Sequence, residues 1–181
     1  MNVQTQASQA SLSPAEAIEL LREGNRRFTA NQMAERDLLG QVKQTASGQY
    51  PFATILSCID SRVSAELIFD QGVGDIFSAR VAGNVINEDV LGSMEFACKL
   101  AGTKVVVVLG HTSCGAVKGA CDNARLGNLT ALVSKIKPAV LAVTEPEAPE
   151  ERTSKNAAFV DAVAKTNVYL TLENVRKQSP L

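Results

Sequence analysis

Short, wholly apolar runs alternate along this chain with longer stretches of helical periodicity. Pro51–Ser57 is apolar over strand length, and a run of that kind reads as a buried strand. Asp75–Arg80 is a second candidate. Lys104–Leu109 is the clearest, with Val at 105, 106, 107 and 108; a branched Cβ is crowded in a helix and fits a pleated backbone. Between the second and third runs, Val90, Leu91, Met94, Ala97, Cys98 and Ala101 recur at helical spacing, with Asn87 as N-cap and Gly102 as stop. Further helices are expected at about 114–123 and 129–143. An acidic, Pro-containing connection over Thr144–Arg152 leads to a long helix from about Asn156 to Lys177. Upstream, Ser13-Pro14-Ala15-Glu16 has the form of a capping box with Pro at the first helical position, and Ile18, Leu21 and Phe28 carry that helix to about Asn31. Residues 32–50 read as a polar connection with room for a short helix. The order predicts an α/β fold, a mostly parallel sheet flanked by helices. Residues 1–12 are expected to be a flexible N-terminal segment, and residues 13–181 a single domain.

Composition narrows the function classes. A chain of 181 residues, 45% hydrophobic, is long enough for one substantial core. Eighteen Lys and Arg against nineteen Asp and Glu leave a net charge of −1; this argues against a nucleic-acid partner and against disorder. No apolar run has the roughly 18–20 residues needed to cross a bilayer, so no membrane partner is expected. The start is polar, without a basic segment followed by an apolar one. A cytoplasmic location is the default, and a periplasmic one would require a leader already removed. Four Cys are too few and too scattered for a disulfide scaffold.

The chemistry concentrates where strands end. Cys58 follows the first strand, and His111 and Cys114 follow the third. In an open parallel sheet, function gathers beyond the carboxyl ends of the strands. If the two strands are neighbours, two thiols and one imidazole meet, a good zinc donor set with a fourth position free for water or closed by a carboxylate. Asp60 is the acidic residue placed to close it, and Arg62 is placed to hold Asp60 away. The alternative is a buried His beside two buried Cys with no metal, since free Cys is among the most buried residue types. Gly110-x-x-x-x-Gly115 begins like a phosphate loop but has Ala116 where Lys is required.

Taken together, Cys58-x-Asp60-Ser61-Arg62 and His111-x-x-Cys114-Gly115 resemble the signature of the β-class carbonic anhydrases. Arg80-Val-Ala-Gly-Asn84, Gly92-Ser-Met-Glu-Phe-Ala97 and Val107-Val-Leu-Gly-His111 match as well, as does the Leu20-Leu21-x-x-Gly24-Asn25-x-x-Phe28 pattern of the first long helix. The resemblance implies a zinc lyase, one Zn2+ per chain on Cys58, His111 and Cys114, in which zinc-bound hydroxide attacks CO2 and bicarbonate leaves. It implies that Asp60 and Arg62 form a catalytic dyad, that Gln49 hydrogen-bonds substrate, and that Phe77 and Ala82 line a small apolar CO2 pocket. It also implies a homodimer or higher even oligomer with sites at the subunit interface.

Family members usually run a few tens of residues beyond the Ser-Pro found here at Ser179-Pro180, through an edge strand, so the outer sheet edge is expected to be uncovered. The regulatory bicarbonate pocket of some relatives uses a Trp, and this sequence has none. A carbonyl sulfide or carbon disulfide hydrolase of the same family and a catalytically impaired zinc-binding remnant are the alternative functions. Cys98 and Cys121 are expected to be packing thiols. Glu66 and Asp70 are expected on a solvated helix face, and Asp89 beside the dipole of the helix that Asn87 caps.

Overall fold

The computed structural model describes residues 3–181. Its elements in chain order are α1 (Gln6–Ser11), α2 (Pro14–Thr29), α3 (Leu38–Gln44), β1 (Ala53–Ser57), α4 (Ala65–Ile68), β2 (Ile76–Arg80), α5 (Glu88–Glu95), β3 (Val105–Leu109), α6 (Gly115–Cys121), α7 (Gly127–Ser134), α8 (Lys137–Ala142) and α9 (Ala157–Gln178). The strands are parallel in the order β2-β1-β3, and Ser57 pairs in register with Arg80 on one side and Leu109 on the other. All three therefore end level.

β1 is buried at every residue because both its edges and both its faces are covered. Phe52, Ala53 and Ile55 pack against Ala17 and Leu21 of α2 and Ala65 of α4. Leu56 and Val108 pack on the other side against Ile86, Leu91 and Met94. A third apolar cluster lies beyond the strand ends and joins Cys58 and Cys114 to Val117, Ile136, Phe159 and Val163. Among the described residues, no helix is long and apolar enough to cross a membrane.

Local signals place the helix starts. Ser13 Oγ accepts from the Glu16 amide while the Glu16 carboxylate accepts from the Ser13 amide. Asn87 accepts from the Val90 amide and Asn156 from the Phe159 amide, and Asp89 falls in the first turn of α5. Gly24 lets α2 approach α4: a Cβ there would stand 1.7 Å from the Phe69 carbonyl oxygen. Gly24→Ala is therefore expected to lower stability by about 1–3 kcal/mol, read as a fall in urea midpoint. An unchanged midpoint would mean that the two helices are not in this contact.

The structure corrects four expectations. The helix predicted over 129–143 is broken into α7 and α8, because Pro138 cannot donate a helical hydrogen bond and instead sits in the first turn of α8. After α5 the backbone widens into a π turn over Phe96–Leu100; this shifts the helical phase, and Cys98 is exposed rather than packed in the core. Residues 6–11, expected to fray, form α1, with Thr5 and Ser8 in a capping box. Gln9 there is buried and donates to the carbonyls of Pro51 (2.6 Å) and Ala101 (2.8 Å). Asp70 is not on a solvated helix face: α4 ends at Ile68, and Asp70 is fully buried against Arg27 and Arg36. Glu66 is half-buried and accepts from the Ser64 and Ser78 hydroxyls.

Candidate metal centre

Because the strands end level, residues leaving β1 and β3 share one rim of the sheet. Cys58 follows β1 directly, His111 follows β3 after Gly110, and Cys114 is the residue from which α6 starts. Their ligand atoms all lie within 4.8 Å of one another, and the two sulfurs are 3.9 Å apart. Zinc with Zn–S bonds of about 2.3 Å in tetrahedral geometry requires sulfurs about 3.8 Å apart, so the spacing fits.

His111 fits as well. Its Nδ1 stands 2.9 Å from the Thr112 carbonyl oxygen, which can only accept, so Nδ1 carries the proton and Nε2 presents a lone pair. Nε2 is buried and has no hydrogen-bond partner, as a ligand atom should be. Burial is the largest influence on the Cys114 thiol and pushes it up, and the nearby Cys58 adds to the rise against the Val117 and Ala116 amides. A metal taken up here must displace that proton.

Asp60 lies beside the group and is held by Arg62. The Arg62 Nε and backbone amide donate to Asp60 Oδ1 at 2.9 and 3.0 Å, and Arg62 Nη2 donates to Oδ2 at 2.8 Å. Asp60 Oδ2 is 4.0 Å from His111 Nδ1. Arg62, first through its guanidinium hydrogen bonds and then through its backbone amide, holds the Asp60 carboxyl well below the usual carboxylate range.

Two supports were not anticipated from the sequence. Arg80, at the end of β2, donates to the carbonyls of Cys58 (3.0 Å) and Asp60 (2.7 Å), tying down the loop that carries both. The signal was its place in Arg80-Val-Ala-Gly-Asn84, directly beside Ser57 in the sheet. On the other loop, Ser113 has a left-handed φ of 55° and its amide approaches Asp161 Oδ1 at 3.4 Å.

Ala82 opens the short 3-10 turn Ala82–Asn84, next to Gly83, whose amide donates to Cys58 Sγ. Gln49 is exposed in the connection before β1. Phe77 stacks edge-on to Phe96, ring centroids 6.3 Å apart, and lines a different depression on the α5 side. The structure thus gathers Cys58, His111, Cys114, Asp60 and Arg62, with Ala82 close by, and leaves Gln49 and Phe77 outside that cluster. Cys121 is buried in the apolar cluster and is not part of the ligand group.

Fold and site together define an α/β protein whose strand ends carry a three-residue thiol–imidazole group able to hold a metal ion. A family model described as carbonic anhydrase matches residues 53–181. The chain is 43% identical over 135 residues to carbonic anhydrase 2 of Mycobacterium tuberculosis, covering 71% of this chain and 65% of that one. It is 40% identical to the carbonic anhydrase of Mycolicibacterium smegmatis, covering 71% and 66%. It therefore spans about two thirds of the length of these relatives. The β-carbonic anhydrase of Aspergillus fumigatus superposes with a TM-score of 0.64 at 27% identity over 89% of this chain and 74% of that one. The Coccomyxa β-carbonic anhydrase shares the fold, with a TM-score of 0.65 at 24% identity over 88% and 71%. The chain belongs to the β-carbonic anhydrase family.

Proposed function

We propose that this chain is a zinc-dependent carbonic anhydrase that interconverts CO2 and bicarbonate, with Cys58, His111 and Cys114 holding one Zn2+. The observation that carries this reading is the clamp of Arg62 on Asp60. With Asp60 so held, the metal group has three protein ligands, the pattern of a catalytic rather than a structural zinc site. Bound there, zinc supplies the Lewis acidity that lets water act as a nucleophile near neutral pH.

The chain's own residues do the rest. Asp60 stays ionised at neutral pH because Arg62 holds its charge, so it is a poor place to leave a proton and a good fixed acceptor. Its Oδ2, beside the ligand group, would accept a hydrogen bond from the reacting water and hold it in one orientation. The only His is a ligand, so the released proton passes to solvent. Arg80 keeps Cys58 and Asp60 in one rigid loop through their carbonyls.

The working unit in this reading is a homodimer or a higher even oligomer. The family resemblance supports it, and so do Leu38, Leu39 and Val42, all exposed on α3; clustered exposed apolar residues mark interaction surfaces. Gln49 and Phe77, outside the zinc cluster of their own chain, are then offered to the site of a neighbouring copy, while Ala82 serves its own.

Asp60→Asn is expected to lower kcat/KM for CO2 hydration by about a hundredfold while zinc content is retained. Stopped-flow hydration with zinc measured on the same samples checks this. A variant with full zinc and an undiminished rate would remove Asp60 from the mechanism.

A further inference from the structure

The Cys58 sulfur has a neighbour that the reaction itself does not require. The Gly83 amide, buried, donates to Cys58 Sγ at 3.3 Å. Gly83 has a left-handed backbone, φ 70° and ψ 16°. A Cβ there would stand 2.5 Å from Ile136 Cδ1 and 3.3 Å from Ala116 Cβ, so glycine is required by both conformation and space. The turn itself is closed by the Asn84 amide on the Val81 carbonyl. That bond leaves the Gly83 carbonyl free, and it is met from the far end of the sequence: Asn167 Nδ2, on α9, donates to it at 2.8 Å.

Asn167 is only 3% exposed and sits in the middle of a 22-residue helix. Asn is a weak helix former, and a buried amide is costly unless bonded. Its buried neighbours on α9 include Val160 and Val163, so packing alone would be served by an aliphatic side chain. The Gly83 carbonyl is the contact that accounts for an amide at this position. Carbonyl and amide belong to one residue, so anchoring the first restrains the dihedral swing that would take the second off the sulfur.

We propose that Asn167 is a positioning residue that, by holding the Gly83 carbonyl, aims the Gly83 amide at the Cys58 sulfur and so sets how strongly that ligand donates to and retains zinc. The inference rests on the metal reading above. An N–H on a thiolate withdraws charge from it and fixes its direction, and loss of such an outer partner typically costs about 10- to 100-fold in metal affinity.

The test uses the full chain labelled with 15N and loaded with 113Cd. In the native protein the Gly83 amide proton shows scalar coupling to cadmium across Cys58 Sγ. Asn167→Asp keeps the size and reverses the polarity; Asn167→Leu keeps the bulk and removes the donor. Thr171→Val, one turn along and also buried, is the packing control. In both Asn167 variants the coupling is lost, zinc release to a chelator is about tenfold faster, and the thiolate-to-cobalt band of the Co2+ form moves to lower energy. Thr171→Val leaves all three as in the native chain. Cadmium bound without coupling in the native chain overturns the proposal, as do Asn167 variants with native coupling, band position and release rate. Failure of the native chain to give a cadmium resonance at all rejects the metal reading itself, and the inference with it.

Discussion

Cys114→Ser is expected to leave a folded chain that no longer keeps zinc and hydrates CO2 no faster than buffer. Cys114 is only 1% exposed and lies where α6 begins, packed in the cluster with Val117 and Ala120. Serine is close in size, so the packing survives, but a neutral hydroxyl replaces a thiolate. Two ligands would then remain of three, and one of the two negative charges that balance the metal would be gone. Loss of an outer partner alone costs about 10- to 100-fold in affinity; loss of a ligand must exceed that. Zinc content after dialysis against a mild chelator should fall from near one per chain to a small fraction of that. A Cys114→Ser chain that retains stoichiometric zinc and native activity would place the metal elsewhere.

Asp70→Asn is expected to lower stability by about 3–5 kcal/mol. Asp70 is wholly buried and accepts from Arg27 Nε at 2.5 Å, from Arg36 Nη1, and from the Ala34 amide at 3.1 Å. Arg36 is itself 7% exposed at the side chain. The pairs join α2 and the connection after it to the chain leaving α4. Burial pushes the Asp70 carboxyl up, but the Arg27 and Arg36 hydrogen bonds and the Ala34 amide outweigh it and leave it below its ordinary value. An amide keeps the shape but takes away the carboxylate that Arg27 and Arg36 share.

The pH dependence has a definite sign. A carboxylate lowered on folding contributes stability that is fully present above the unfolded pKa of about 3.9, and the contribution is lost as pH falls through the folded value. Urea unfolding should therefore show a smaller gap between the native chain and Asp70→Asn at pH 3, below the unfolded value, than at pH 7. A constant gap at both pH values would mean that the cluster contributes packing rather than charge.

What the sequence disclosed and what it hid follow from the range of the forces involved. Ser13 and Asn87 were readable as caps because a cap bonds three residues away. The strand runs were readable because β1 is covered on every side, so apolar residues simply accumulate. Cys58, His111 and Cys114 were readable as a group because parallel strands that end level bring their following loops together. The residues that support the site are of another kind. Gln9 bonds to Pro51 and Ala101, Arg80 to Cys58 and Asp60, and Asn167 to Gly83. None of these partners lies in a local window, and each acceptor is a backbone carbonyl with no sequence signature. Asp70 is expected with Glu66 on a solvated helix face, and only the return of Arg27 and Arg36 to the same spot explains its burial. Cys98 followed a correct helical stripe until the π turn changed the phase. The break at Pro138, by contrast, is legible, because proline cannot donate a helical hydrogen bond and starts a new helix instead of continuing one.

The most direct test of the central claim is stopped-flow CO2 hydration by the full chain at pH 8.5, on samples whose zinc content is set between none and one per chain. The account predicts a rate above buffer that rises in proportion to zinc and reaches its maximum at one ion per chain. Hydration at the buffer rate in a sample carrying one zinc per chain would contradict it.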